Sequence, residues 1–481
     1  MPNLPRMLSK LLAVAALAGL ATAPEALASH AQANFFEASS VLLSPSTRPA
    51  AIAQLQHLGV KAIRLELPWA GVAPGQTSAS RPVFDATSPA SYAWGEYDAV
   101  IDEAQRLHWQ VLLTVTSPVP RWATSNRKAP YITRPDARSF GEFMTAVGRH
   151  YGSKVSVFSI WNEPNHPAFL LPQWNKNGTP ASPRIYRGLF QAAYAGLQAA
   201  GISAPKVLFG ETAPTGFDTV SVRREGSKAL LHDVSPLLFL RSALCLSPSY
   251  RKAGSCGPLQ MAGYAHHAYT LPVGPTYVPP GRDDVMIGVL SRLSRALDRA
   301  ASAHAIPKRV PIYLTEFGVQ SKPNKQLGVP VSVQAEFDAI AERIAWSNAR
   351  VAAFSQYLLR DDPLGGAPGA SVHGGTVGFQ TGLEYVSGAP KPLYAAWPVP
   401  LVVSRGHGYS LWGLVRPATG ATSVTILVRP PGSAKYRTLK TVTTNASGYW
   451  SLHSTVSGQL WRVRWTSPEG ALYQGPPTKA R

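Results

Sequence analysis

The stretch V-S-V-F-S-I-W-N-E-P-N, residues 155–165, joins seven mostly apolar residues to a short polar run. β-branched and aromatic residues dominate its first part, which is typical of a buried β-strand. Asn162 and Glu163 therefore stand where such a strand ends. A carboxylate in that place is either a solvated loop charge or a catalytic acid, and the remaining sequence has to distinguish the two.

Eight similar runs alternate with helical segments between residues 33 and 397. The predicted strands cover residues 34–38, 61–67, 110–116, 155–161, 206–210, 262–268, 310–315 and 351–357. Between them, apolar residues recur three and four positions apart, as at Phe140, Phe143 and Val147, which is the periodicity of an amphipathic helix. The alternation predicts an α/β fold, a (β/α)8 TIM barrel over residues 33–397. A doubly wound open sheet is the alternative, but no glycine-rich fingerprint follows the first strand.

The sequence changes character after residue 397. Apolar and polar residues alternate in twos in segments 409–416, 423–430, 436–444, 449–456 and 459–466, which are separated by turn residues. This pattern predicts a small all-β, immunoglobulin-like sandwich domain over residues 398–481, with P-V-P at 398–400 as the linker. A chain of 481 residues is long enough for one large domain and one small domain.

The N-terminus has the features of a secretory signal peptide, which we predict at residues 1–28. Arg6 and Lys10 supply positive charge, residues 11–23 are apolar, and Ala26-Leu27-Ala28 is a small-x-small cleavage site. A retained membrane anchor is the alternative, although the apolar stretch is short for a span. No later stretch suits a transmembrane helix, so we expect a secreted or cell-surface protein without a membrane span after cleavage.

The two cysteines fit an exported protein. Cys245 and Cys256 enclose a short polar segment, and outside the cytosol such a pair predicts a disulfide bond. Two free thiols are the alternative. No Cys-x-x-Cys or His-Cys spacing accompanies them, so the sequence does not indicate a metal site there.

The chain is strongly basic, with a formal net charge of +20. Residues 398–481 hold ten Lys or Arg and a single acid, Glu469. A basic C-terminal domain could attract anionic cell-surface polymers or acidic polysaccharides. A general compositional bias toward arginine is the alternative explanation. No nucleic-acid-binding motif is present, and nucleic acid is not an expected partner of an exported chain.

A second carboxylate stands at the end of another predicted strand. I-Y-L-T-E-F-G, residues 312–318, places Glu316 after the seventh strand, as Glu163 follows the fourth. In a TIM barrel the C-terminal ends of the strands meet at one face, where the chemistry is located. Two carboxylates on that face are the arrangement that cleavage of a glycosidic bond requires.

These motifs resemble those of a known group of enzymes. W-N-E-P (161–164) and T-E-F-G (315–318) resemble the strand-four and strand-seven motifs of clan A glycoside hydrolases, which include family 5 cellulase-like and family 39 β-xylosidase-like enzymes. The resemblance covers the barrel. Further agreement comes from Arg64 on the second strand, His267-Ala268-Tyr269 on the sixth, the loop 117–123 and the closing segment 381–394.

The resemblance implies a retaining glycosidase with Glu316 as nucleophile and Glu163 as general acid and base. Arg64 and Tyr269 would hold down the pKa of Glu316, whose charge would raise the pKa of Glu163. Asn162 would hydrogen-bond the 2-hydroxyl of the sugar, and the carboxyl groups would lie about 5–5.5 Å apart. Two carboxylates and water are sufficient, so we expect no cofactor and no metal ion.

Some of these residues also have a purely structural explanation. Arg64 could form an ion pair with Glu66 at the barrel rim, and His267 could be a hydrogen-bonded packing residue rather than a substrate-binding one. The neighbouring His266 is expected outside the barrel, because adjacent residues of a strand face opposite sides.

Aromatic residues near the strand ends are candidate sugar platforms, since sugars have apolar faces that stack on indole rings. We predict this role for Trp69 and Trp122, with core packing as the alternative. Glu211, after the fifth strand, and Asp361-Asp362, after the eighth, could line the cleft.

The sequence therefore predicts a secreted retaining glycoside hydrolase that cleaves β-glycosidic bonds of an oligo- or polysaccharide. A transglycosylase would use the same site, and the sequence does not separate the two activities. A non-catalytic carbohydrate-binding envelope protein is a further alternative, but the presence of Glu163, Glu316 and Arg64 together argues against it. The barrel by itself would support none of these functions, because many chemistries use it.

Overall fold

A computed structural model describes residues 32–126, 128–363 and 378–481 of the chain. The predicted signal peptide, residues 1–28, lies outside these ranges. Every helix within them is too short or too polar to cross a membrane.

Eight parallel strands form a closed barrel. They are β1 (Ala33–Glu37), β2 (Ala62–Pro68), β3 (Gln110–Thr116), β4 (Val157–Ile160), β5 (Val207–Thr212), β6 (Gly263–His267), β7 (Ile312–Phe317) and β8 (Val351–Tyr357). Each strand pairs with the next one along the chain, and β8 pairs with β1. The predicted TIM barrel is confirmed, and every observed strand end lies within two residues of the predicted one.

Helices connect the strands. They are α1 (Ser39–Leu42), α2 (Arg48–His57), α3 (Trp69–Val72), α4 (Gly95–Arg106), α5 (Ala137–Tyr151), α6 (Ser182–Ala199), α7 (Val222–Glu225), α8 (Pro236–Ala243), α9 (Leu290–Ser302), α10 (Val331–Trp346) and α11 (Pro392–Ala396). In α5 the apolar stripe of Phe140, Phe143 and Val147 is fully buried. The Asp136 carboxylate caps the first turn by accepting from the Ser139 backbone N–H.

The inside of the barrel is layered, because every second residue of a strand points inward. A buried apolar cluster includes Phe35, Ala62, Leu112 and Ala265. Two residues further along the same strands stand Glu37, Arg64, Thr114 and His267, all of them buried. Apolar side chains therefore fill the barrel toward the N-terminal ends of its strands. A buried polar layer follows toward the C-terminal ends.

The C-terminal residues form an all-β domain, as predicted. Its strands are β9 (Leu401–Gly406), β10 (Gly408–Leu414), β11 (Ser423–Arg429), β12 (Arg437–Thr443), β13 (Tyr449–Ser454), β14 (Leu460–Thr466) and β15 (Leu472–Gln474). Two antiparallel sheets, ordered β13-β10-β9 and β12-β11-β14-β15, enclose a core that includes Leu411, Ile426 and Trp461. The sequence prediction missed β9, which begins directly after the linker, and β15, which is only three residues long.

The two domains share a buried polar contact. Arg416, between β10 and β11, makes two hydrogen bonds to the Glu342 carboxylate of α10, at 2.7 and 2.9 Å. Its guanidinium carbon lies 3.6 Å from the centre of the Trp397 ring. Gly59, at φ +75°, lets the barrel approach the neighbouring turn, since a Cβ there would lie 2.3 Å from the Pro417 nitrogen. The domains are therefore fitted to each other closely.

The predicted disulfide bond is present. Cys245 and Cys256 are bonded, with their Cα atoms 5.9 Å apart, and they enclose a loop that follows α8. The described residues contain no free cysteine.

Candidate active site

The backbone leaves regular strand geometry where the site is formed. Trp161, Glu163 and Glu211 have φ values of 70°, 36° and 50°, a region that costs a non-glycine residue on the order of 1–3 kcal/mol. The pairing of β6 with β7 also shifts register before it reaches His267 and Glu316. These irregularities interrupt the in-and-out alternation of the strands, so that neighbouring residues such as Asn162 and Glu163 can both contact the buried polar layer, through Arg64 and His267 respectively.

The structure brings Glu163 and Glu316 together. One oxygen of each carboxylate and one ring nitrogen of His267 lie within 4.8 Å of one another. The Glu163 side chain is 16% exposed and the Glu316 side chain 7%. Retaining glycosidases hold their two carboxyl groups about 5–5.5 Å apart, whereas inverting ones leave about 6.5–9.5 Å for a water molecule. An approach of two carboxylate oxygens to within 4.8 Å is shorter than the inverting arrangement needs and favours the retaining one.

Arg64 is fully buried and contacts several acids. Its Nη1 lies 2.9 Å from Glu316 and 3.3 Å from Glu37, and its Nη2 lies 3.1 Å from Glu66 and 3.4 Å from Glu211. The expected contact with Glu316 and the alternative contact with Glu66 are therefore both present. One guanidinium holds the carboxylates of four different strands or loops in place.

His267 lies between three carboxylates. Its Nδ1 is 3.0 Å from Glu163 and 3.4 Å from Glu316, while its Nε2 is 2.6 Å from Glu211. Burial lowers the pKa of His267, but the charge of Glu316 and the hydrogen bonds to Glu163 and Glu211 outweigh it and raise the pKa to about 10. The ring is therefore an imidazolium at neutral pH, with both N–H groups donating.

Glu211 is the residue whose importance the sequence prediction underestimated. Its carboxylate is fully buried and accepts from His267, from Thr315 at 2.9 Å and from Thr114 at 3.3 Å. Burial acts to raise its pKa, but the charge of Arg64 and the hydrogen bond from His267 lower it to about 2. Glu211 is thus a permanent negative charge behind the cleft, and its position at the end of a strand was the available signal.

The pKa directions of the two central glutamates differ from those expected. Burial raises the pKa of Glu316 to about 7 in spite of His267 and Arg64, with Glu66 and Glu163 adding to the rise. Burial also acts to raise the pKa of Glu163, but the hydrogen bond and charge of His267 lower it overall. These two directions are opposite to those that the resemblance implies, because the imidazolium of His267 lies next to Glu163.

The other predicted polar residues reach the site. The Tyr269 hydroxyl donates to Glu316 Oε2 at 2.8 Å. The Asn162 Oδ1 accepts from Arg64 Nη2 at 3.1 Å, which fixes the amide and leaves its NH2 group to donate to a ligand. His266 lies on the other side of the strand, as expected, where it contacts Thr212 and the Val285 carbonyl.

The prediction for Trp69 is wrong. Its side chain has no exposed surface, and its ring stacks on Phe143 of α5 at 5.5 Å, so no face is left for a sugar. Trp122 is half-buried between Trp69 and Phe84, with the Arg81 guanidinium 5.3 Å from its ring centre. None of its contacts in the described residues is with the site, and its binding of sugar stays a prediction. Trp69 belongs to the core because α3 turns it inward beneath α5.

The same trio of residues has ligand atoms that could surround a metal ion. Glu163, His267 and Glu316 offer two oxygens and one nitrogen. Metal ligation needs a neutral imidazole, whereas the charge of Glu316 and the hydrogen bonds to Glu163 and Glu211 raise the pKa of His267, so an ion would have to displace a proton from the ring.

Comparisons with known proteins bear on the fold. No protein-family model and no curated protein sequence matches the chain. Among solved structures, a family 39 glycoside hydrolase from Bacteroides cellulosilyticus WH2 is 13% identical, with 88% of this chain and 81% of that chain covered and a TM-score of 0.51. A glucosidase from Croceicoccus marinus is 12% identical, with 89% and 94% covered and a TM-score of 0.51.

A Bacteroides uniformis β-glucuronidase also matches, at 10% identity and a TM-score of 0.44. The match covers 94% of this chain but only 46% of that one, so the chain spans about half the length of this enzyme. At these identities the likeness concerns the fold alone. The comparisons confirm that the chain has the barrel fold implied by its resemblance to clan A glycoside hydrolases.

Proposed function

We propose that the protein is a retaining glycosidase that hydrolyses β-glycosidic bonds of an oligo- or polysaccharide. The observation that carries the proposal is the approach of Glu163 and Glu316 to within 4.8 Å in the buried polar layer of the barrel. Arg64 and Tyr269 hold Glu316 from two sides, at 2.9 and 2.8 Å. A fixed carboxylate beside a second, proton-carrying group is what a double displacement needs.

In the first step, Glu316 attacks the anomeric carbon and Glu163 protonates the departing oxygen. In the second step, Glu163 takes a proton from water, the resulting hydroxide attacks the same carbon, and the Glu316–sugar bond breaks. The attack neutralises Glu316, so Glu163 becomes a better base for the second step. Asn162, oriented by Arg64, donates to the sugar 2-hydroxyl.

The two glutamates must carry one proton between them when the reaction starts. Below about pH 7 the raised pKa of Glu316 supplies that proton, whereas the mechanism needs it on Glu163. The Nδ1 of His267 lies 3.0 Å from Glu163 and 3.4 Å from Glu316. It can give its proton to Glu163 and take the one on Glu316, which leaves the imidazolium unchanged and both glutamates in their catalytic states.

We also propose that the protein acts outside the cytosol, on the support of the signal-like N-terminus and the Cys245–Cys256 disulfide bond. The basic residues of the C-terminal domain support a contact with anionic cell-surface polymers. Cell fractionation, followed by salt extraction of the envelope, tests both proposals. Recovery of the full chain in the cytosol would contradict the first, and absence from a salt-extracted envelope fraction would contradict the second.

Screening aryl β-glycosides and polysaccharides with the wild type, Glu316→Ala and Glu163→Ala tests the activity. Glu316→Ala should lose nearly all turnover. Glu163→Ala should keep turnover of substrates with good leaving groups, and azide should accelerate it. NMR of the first product should show retained anomeric configuration. Wild-type rates in both variants, or an inverted product, would contradict the proposal.

A further inference from the structure

Five arginine side chains surround one cavity outside the barrel strands. The cavity, of about 510 Å³, lies between α8, α9 and the segments that follow β5 and β6. Its charged and aromatic lining consists of Arg241, Arg282, Arg292, Arg295, Arg299, Asp218, Asp283 and Tyr250. Five arginines against two aspartates leave an excess of positive charge in this cavity, which we call the arginine cavity.

Helical spacing explains why the arginines converge. Arg292, Arg295 and Arg299 are three and four residues apart on α9, so they share one face of that helix. The acid on the same helix, Asp298, pairs instead with Arg350 at 2.5 Å. The guanidinium of Arg299 lies 4.4 Å from the ring centre of the buried Tyr250, which forms part of the lining.

Part of this positive charge has no internal partner. Arg241 is paired with Asp283, and Arg292 donates to backbone carbonyls, including that of Asp284. Arg282 and Arg295 are exposed, and neither side chain forms a hydrogen bond or ion pair with any residue that the structure describes. Unpaired guanidinium groups at the edge of a cavity are well suited to bind oxyanions, because each offers a planar fork of donors.

The arginine cavity lies at the same end of the barrel as the candidate active site. The backbone N–H of Val285 donates to the Pro214 carbonyl just after β5, at 2.8 Å. The carbonyl of Val285 accepts from His266 Nε2 at 2.7 Å, and His266 is the neighbour of His267 on β6. The lining segment of Arg282 and Asp283 therefore lies directly outside the strand that carries the catalytic imidazolium.

We propose that the arginine cavity binds a carbohydrate segment that bears carboxylate or sulfate groups. The oxyanion chemistry follows from the arginines alone. The choice of a carbohydrate rests on the proposed glycosidase function and on the position of the cavity at the active end of the barrel. The substrate or a polymer attached to it would then be an acidic glycan.

Calorimetric titration of the full chain tests the proposal, with Glu316→Gln as background so that no turnover occurs. The probes are an oligogalacturonate, a sulfated dextran oligomer, a neutral dextran oligomer and inorganic sulfate. At least one acidic oligomer should bind, and the neutral oligomer should not. Arg282→Ser/Arg295→Ser should weaken binding of the acidic oligomer at least about 10-fold. The remaining binding should depend less on salt concentration than that of the Glu316→Gln background. The two acidic probes separate carboxylate from sulfate recognition.

Arg184→Ser/Lys308→Ser is the matched control. Both residues are exposed, without a side-chain partner in the described part of the chain, and absent from the cavity lining, so the control loses the same net charge. Equal weakening in the two double variants would mean a general charge effect and would overturn the proposal. Binding of inorganic sulfate alone, or binding unaffected by Arg282→Ser/Arg295→Ser, would also overturn it.

Turnover measurements distinguish a failure of the arginine-cavity proposal from a failure of the glycosidase proposal. Turnover of small neutral aryl glycosides by the chain with Glu316 intact should be unchanged in Arg282→Ser/Arg295→Ser, because these residues lie outside the barrel. Loss of anion binding with normal turnover supports the arginine cavity. Absence of turnover in the wild type, with arginine-dependent anion binding retained, would reject the glycosidase proposal and keep the anion site.

Discussion

Glu211 and His267 form a buried ion pair in which the carboxylate Oε2 lies 2.6 Å from Nε2 of the ring. Both side chains are inaccessible to solvent. The pair is directional, because the opposite ring nitrogen, Nδ1, faces Glu163 and Glu316. Together with Glu316 and Glu163, Glu211 raises the pKa of His267 and orients the ring so that Nδ1–H donates toward the two glutamates. Glu211 itself has no exposed surface from which to touch a substrate.

Removing the charge of Glu211 should impair catalysis through His267. In Glu211→Gln the imidazolium loses a buried counter-charge, so its pKa falls from about 10 toward its ordinary value. We expect kcat/KM to fall by roughly 10- to 100-fold, with a new pH-dependent loss as the ring becomes neutral. Steady-state kinetics from pH 5 to 10 measure this change.

Glu66→Gln is the matched control for this prediction. Glu66 also contacts Arg64, at 3.1 Å, but it is 31% exposed and has no contact with His267 among the described residues. A purely structural role of Glu211 would lower activity without altering the shape of the pH profile, and that result would contradict the positioning role.

The wild-type pH profile should follow the proton count of the two glutamates. Activity needs one proton on the pair, which is lost as pH rises through the Glu316 value of about 7. It should also fall in acid, below pH 4.5, when Glu163 with its lowered pKa takes up a second proton. Measured kcat/KM should therefore be highest between these limits; activity that increases from pH 6 to 9 would contradict the assignment.

Neutralising Glu316 should stabilise the folded protein in alkali. Its pKa is about 7 when folded and near 4.5 when unfolded, so the folded state binds the proton more tightly. Stability from this group is present below pH 4.5 and is lost as pH rises through 7. Glu316→Gln does not titrate, so its Tm should exceed that of the wild type at pH 8 and differ less at pH 5.

Glu163→Gln serves as the comparison in the same thermal melts. Its pKa is lowered in the folded protein, so its ionised form contributes stability above pH 4.5. Glu163→Gln should therefore lower Tm at pH 8. Equal shifts in the two variants would show that the environments of the glutamates do not differ as described.

Removing only one partner of the buried ion pair between the domains should lower the stability of the protein. Arg416 and Glu342 are buried, with exposed side-chain fractions of 6% and 0%. Arg416→Ala leaves the Glu342 charge unpaired and should reduce the free energy of unfolding by about 3–5 kcal/mol. Denaturant unfolding of the full chain measures this change.

The double variant Arg416→Met/Glu342→Leu is the control. It removes both charges and fills the space with apolar side chains, so it should be less destabilised than Arg416→Ala. A double variant that is equally or more destabilised would show that the contact acts through its hydrogen bonds, including that from Asn34 to Glu342, rather than through paired charge.

The sequence by itself determined the architecture and indicated the candidate catalytic residues. Apolar strands of period two, alternating with helical stripes, specify the barrel, because each pattern can bury its apolar face in only one way. The rule that active groups lie at the C-terminal ends of barrel strands then selected Glu163 and Glu316. The disulfide bond followed similarly from two cysteines in a chain whose N-terminal sequence predicts export.

Only the tertiary structure decided the charge states and the environment of each side chain. Sequence reasoning placed Trp69 against the sugar, whereas packing under α5 buries it. It also could not show that the ring of His267 lies between Glu163, Glu316 and Glu211, which together raise its pKa. Local sequence patterns fix which residues reach the end of a strand. The pKa of each residue depends instead on its burial and on its distance from charges on other strands, and both are set only when the chain folds.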